Sequence, residues 1–77
     1  MSNNDRKWKQ NFAARLRKMM IKKGMTQMEL ADASGVSQAS IAQYLNTNSV
    51  PSVLNFVYIA DALECTKEEL GYLLSYD

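Results

Sequence analysis

Thr26-Gln-Met-Glu-Leu-Ala-Asp-Ala-Ser-Gly-Val-Ser-Gln-Ala-Ser-Ile-Ala-Gln-Tyr-Leu-Asn46 reads as two short helices joined by a very tight turn. Thr26 followed three positions later by Glu29 is a capping box, so a helix opens here and runs to about Ser34. Gly35 ends it, because a sharp turn between helices needs the left-handed backbone that glycine adopts without strain. Ser37 can cap a second helix over Gln38 to about Leu45, and the polar stretch Asn46 to Ser49 breaks that helix before Pro51. Ala31 is small where the two helices cross, and Leu30, Val36 and Ile41 supply their shared apolar contact. With these turned inward, Gln38, Ala39, Ala42 and Gln43 fall on the opposite side of the second helix, open to solvent or to a groove.

The flanking sequence predicts three more helices. Upstream, Trp8, Phe12, Leu16 and Met19 or Met20 recur at three and four positions, which makes one apolar stripe on a helix from about Lys7 to Lys23, stopped by Gly24. Downstream, Ser52 caps a segment in which Val53, Phe56, Val57, Ala60 and Leu63 share a face. Thr66 and Glu69 form a second capping box and open a last helix bearing Leu70, Leu73 and Leu74. No stretch alternates apolar and polar residues as a half-buried strand would. The expected fold is all-α, a five-helix bundle in one domain over residues 1–77, with residues 1–6 as a loose arm.

Composition narrows the function. A chain of 77 residues with 47% hydrophobic and 22% charged residues suits one globular domain. Its single cysteine, Cys65, allows no internal disulfide and fits a reducing interior such as a bacterial or phage-infected cytoplasm. No apolar run approaches the ~20 residues of a membrane span, and the polar N-terminus does not read as a signal peptide. Net charge is only +1, yet eight of the nine basic residues lie in the first 23 positions against one acid, Asp5, leaving +7 there. From Gly24 onward one base, Lys67, faces seven acids, leaving −6, and no charge occurs from Ala33 through Ala60.

The Thr26 to Asn46 stretch resembles the DNA-binding domains of lambdoid phage repressors and Cro proteins, and the resemblance extends over about Phe12 to Leu74. It implies a lambda repressor-like bundle in which helices 2 and 3 form a helix-turn-helix and the third helix enters the major groove of double-stranded DNA. In that family a glutamine opens each helix of the motif, the first on a phosphate and the second on a base, and Gln27 and Gln38 match those positions. By the same resemblance Ala39 and Gln43 match base-reading positions, with Ser40 beside them, and Asn46 matches a backbone-contacting asparagine. The chemistry agrees, since glutamine pairs in a bidentate way with adenine and alanine can meet a thymine methyl. Many relatives carry glycine and basic residues after that asparagine, whereas Thr47, Asn48, Ser49 and Val50 are neutral here. Contacts to the DNA backbone from Asn48 would then be neutral hydrogen bonds, with Arg15, Lys18 and Lys22 at helical spacing on the first helix as compensating phosphate ligands.

Leu54, Tyr58, Leu70, Tyr72, Leu73 and Leu74 exceed what one face of a small bundle needs, so they read either as a homodimer surface or as the completion of the core. A dimer would read a pseudo-palindromic operator through recognition helices ~34 Å apart. The expected function is a transcriptional regulator, a repressor without enzymatic activity. The chain has no histidine, so metal binding and thiol catalysis lack partners; no cofactor motif and no small-molecule site is legible. The alternative is a protein-interaction module, antitoxin-like or an adaptor, that keeps the fold and turns its neutral third helix to a protein.

Overall fold

Helix starts are written locally in this chain, and the computed structural model, which describes residues 3–47 and 49–75, has helices where those signals lie. Among the described residues there are five α-helices and no strand: α1 (Asn3–Lys23), α2 (Gln27–Ser34), α3 (Gln38–Asn46), α4 (Val53–Ala62) and α5 (Lys67–Leu74). The first begins earlier than the expected Lys7, so positions 3–6 continue the helix rather than forming an arm; Met1 and Ser2 lie outside the described residues.

The other four helices each start on the expected cap. Thr26 Oγ1 accepts the Glu29 amide at 3.1 Å while Glu29 Oε1 accepts the Thr26 amide at 3.0 Å. Thr66 and Glu69 repeat the arrangement at 3.1 and 2.9 Å. Ser37 and Ser52 accept the amides of Ser40 and Asn55 at 3.1 and 3.2 Å. Each cap satisfies an amide that a helix start leaves without a partner, a contribution of about 1 kcal/mol.

Phe12, Leu16, Met19 and Met20 of α1 meet Leu30, Val36, Ile41, Tyr44, Leu45, Ile59, Leu63 and Leu73 in one core. Burying a side chain of this size stabilises by roughly 1.5–3 kcal/mol. The stripe of α1 lies where its spacing predicts, with Trp8 half-buried and stacked on Phe12 at a ring separation of 5.4 Å. α1 packs against α3 and α5, and α2 against α3 and α4. α3 is thereby wedged between two helices on one side and open on the other.

One expectation changes and one open choice closes. On α4 the inward row is Phe56, Ile59, Ala60 and Leu63, whereas Val53 is 83% and Val57 51% exposed. α4 is apolar around most of its circumference, so two neighbouring rows both satisfy helical spacing, and packing selects the row from Phe56 to Leu63. On α5, Leu73 is fully buried one turn after Glu69, so it completes the core and is unavailable to a dimer surface.

Candidate nucleic-acid interface

The joint between α2 and α3 is set by backbone chemistry. Gly35 has φ 76°, a left-handed conformation, and its amide donates to the Ala31 carbonyl at 2.9 Å. The Val36 amide donates to Ser34 Oγ at 3.1 Å, which turns the Val36 side chain into the core. Leu30 and Ile41 are fully buried on either side of this turn, as the shared contact requires. Tyr44 is buried with its hydroxyl accepting from Asn55 Nδ2 at 3.1 Å, a polar link from α3 to α4.

With Ile41, Tyr44 and Leu45 inward, Gln38, Ala39 and Gln43 are exposed together on the outer face of α3. Ala42 is half-buried at the edge of that face. Ser40 is also half-buried, and its Oγ accepts a hydrogen bond from Ser37 Oγ at 2.8 Å. Gln27 is the first residue of α2 and half-buried; Asn46 ends α3 and is exposed. Thr47 Oγ1 donates to the Gln43 carbonyl at 2.8 Å and lies 3.1 Å from Ser49 Oγ, so the loop after α3 is a neutral hydroxyl surface. Asn48 lies outside the described residues.

Arg15, Lys18 and Lys22 share one edge of α1, as their spacing predicts, but that edge runs beside Glu68, Glu69 and Tyr72 of α5. Arg15 is only 6% exposed; its Nη1 donates to the Ser75 carbonyl at 2.6 Å, and its guanidinium carbon lies 5.9 Å from the centre of the Tyr72 ring. That replaces the expected phosphate contact with a clamp between α1 and the end of α5. Lys22 pairs with Glu69 at 2.7 Å and Lys23 with the same carboxylate at 3.0 Å. The Lys22 hydrogen bond, then the Thr66 amide and Lys23, hold the Glu69 carboxyl down to about 2, and Glu69 in turn raises the Lys22 ammonium above its ordinary value. Lys18 is exposed on the side of α1 that faces Tyr72 and Glu68 of α5.

Arg17 behaves differently. It is exposed, and its Nη2 lies 3.4 Å from both the Leu45 carbonyl oxygen and Asn46 Oδ1, at the end of α3. Sequence spacing does not single it out, because Arg17 and Leu45 are 28 positions apart and meet only through the α1–α3 packing.

A second surface is apolar. Val53, Leu54, Val57 and Tyr58 are exposed along the outer side of α4, beside a groove of about 380 Å³ lined by Trp8, Phe12, Val50, Pro51, Phe56 and Leu74. Of the other residues read as dimer surface, Leu70 is half-buried, Tyr72 is exposed and covers the Arg15 guanidinium, and Leu74 is exposed at the edge of this groove.

Two short helices crossing at a left-handed turn, the second presenting an open polar face, make a helix-turn-helix unit. The helix-turn-helix family model matches residues 16–70, and the chain belongs to that family, whose members are DNA-binding regulators of the XRE type. No curated protein and no solved structure matches the chain. Among the described residues, no helix is long and apolar enough to cross a membrane.

Proposed function

We propose that this chain is a sequence-specific DNA-binding transcriptional repressor of the lambdoid repressor and Cro kind, acting in a bacterial or phage-infected cytoplasm. α3 lies in the major groove, Gln38, Ala39 and Gln43 discriminate bases, and Gln27, Ser40 and Asn46 hold the backbone. The observation that carries this reading is the exposure of Gln38, Ala39 and Gln43 together on a helix whose other side is anchored by Ile41, Tyr44 and Leu45. Rigid presentation matters because a side chain discriminates bases only if its carrier helix keeps a fixed depth and register. No charge competes with the amides on that face, from Ala33 through Ala60. Lys18 adds electrostatic attraction from the flank, whereas Arg15 belongs to the fold. Asn48 remains a candidate backbone contact from the sequence alone.

The same reading has two copies on a pseudo-palindromic operator, joined through Val53, Leu54, Val57 and Tyr58 of α4. A charge-free apolar row is self-compatible across a two-fold axis, since no like charges face each other. The test is selection of bound sites from a random DNA pool. A two-fold motif with half-sites about 10 base pairs apart is the expected result. No enrichment, together with binding that does not weaken as salt rises, would leave the protein-interaction reading in its place, and the absence of charge from Ala33 through Ala60, which leaves α3 neutral, is the observation that favours that second reading.

A further inference from the structure

The C-terminal end of α3 faces a conflict of sign. Its last carbonyls place about half a negative charge there. α3 has no basic residue in its last turn, and Thr47, Ser49 and Val50 beyond it are uncharged. A DNA backbone laid against Asn46 would therefore meet a negative helix end. Arg17 is the basic side chain that α1 brings to this place, with Nη2 at 3.4 Å from the Leu45 carbonyl and at 3.4 Å from Asn46 Oδ1. Its neighbours on α1 point elsewhere, Arg15 to the Ser75 carbonyl and Lys22 and Lys23 to Glu69. A guanidinium carries five N–H donors in a planar fork that matches phosphate oxygens. At Arg17 a single nitrogen makes both contacts, at long range, and the side chain is exposed.

We propose that Arg17 is the phosphate clamp of the recognition helix: one nitrogen stays on the end of α3 while the remaining donors take a phosphate next to Asn46. The guanidinium then neutralises the helix end and ties the DNA backbone to α3 directly, which sets the depth at which Gln38 and Gln43 meet the bases. Arg17 is a positioning residue, and its role rests on the DNA-binding reading.

The experiment follows fluorescence anisotropy of a mixed-sequence duplex of about 30 base pairs across a salt series, because the phosphate term is independent of sequence. The wild-type chain gives a steep linear fall of log K against log salt. Arg17→Gln makes that slope shallower by about 0.9 and weakens binding about eightfold at 0.1 M salt. Arg17→Lys, which keeps the charge, retains the wild-type slope. Lys67→Gln, the same charge change on exposed α5, leaves the slope at the wild-type value. A steep wild-type slope left unaltered by Arg17→Gln, lowered equally by Lys67→Gln, or lost also in Arg17→Lys overturns the clamp. A flat wild-type profile instead overturns the DNA-binding reading, so the two failures are distinct.

Discussion

At the scale of single residues, Gly35 and Glu69 show two different ways in which one position holds the bundle. A Cβ built on Gly35 meets nothing within 4 Å, so the cost of substitution there is purely conformational, from φ 76°. Gly35→Ala is expected to destabilise by about 1–2 kcal/mol and Gly35→Asn by less, since asparagine tolerates the left-handed region better. Urea titration of the three proteins checks this, and equal losses for alanine and asparagine would mean that space, not backbone, is limiting. Glu69 acts through charge. Its carboxyl is held at about 2, below the ordinary 4.5, so the stabilisation it brings is complete above the unfolded value and is lost as pH falls toward 2. Thermal melts from pH 6 to pH 2 should show the wild-type Tm dropping through that window. Glu69→Gln should start lower at pH 6 and drop less, with a residual slope from Glu29, whose carboxyl is lowered by hydrogen bonds from the Thr26 amide and hydroxyl. Parallel curves for the two proteins would remove Glu69 from the acid response.

At the scale of elements, the caps and the turn were legible because each is a local event: a hydroxyl accepts an amide three positions on, and a glycine turns left. α3 was legible for the same reason, and its outward residues followed from its inward ones. α4 was not, because a helix apolar on nearly all sides carries no signal of which row its neighbours will cover. Among the cations of α1, Arg15 was read as a phosphate ligand and Arg17 was not singled out, because tertiary contacts decide the place of both. Arg15 and Arg17 sit two positions apart on one helix, yet one is enclosed by Ser75 and Tyr72 while the other reaches α3. Spacing on α1 alone contains neither partner. The outcome for α3 makes a definite prediction. On the proposed DNA-binding reading, in which the start of α3 meets base edges, the exposed Gln38 is a base reader, so Gln38→Ala should cost about 1–3 kcal/mol on the preferred site and relax discrimination at one base position. Its loss on mixed-sequence DNA should be small. A uniform loss on both duplexes would reassign Gln38 from base reading to backbone contact.

At the scale of the whole molecule, the charge imbalance along the sequence is partly folded away. Lys22 and Lys23 close on Glu69, so the basic and acidic halves are stitched together at one edge, while Lys18 and Arg17 stay exposed. On the proposed DNA-binding reading, pairing of two copies would add to the affinity that one copy draws from its exposed cations. The dimensions allow it. The domain measures 34 × 27 × 21 Å, so two copies in side contact place equivalent helices at a separation of the same order as one DNA turn, ~34 Å. The row Val53, Leu54, Val57 and Tyr58 is the exposed apolar surface suited to that contact. Replacing Leu54 and Val57 together by glutamine keeps net charge, so the electrostatic attraction to DNA is untouched. Because Leu54 is 58% and Val57 51% exposed, the fold should lose little stability. The double variant is expected to bind a duplex with one half-site as the wild type does. On a duplex with two half-sites it should lose the cooperative gain, and sedimentation with that duplex should show independent filling of the sites. Retention of cooperativity in the double variant would move the contact off α4, to the groove between Trp8 and Leu74 that the same face adjoins.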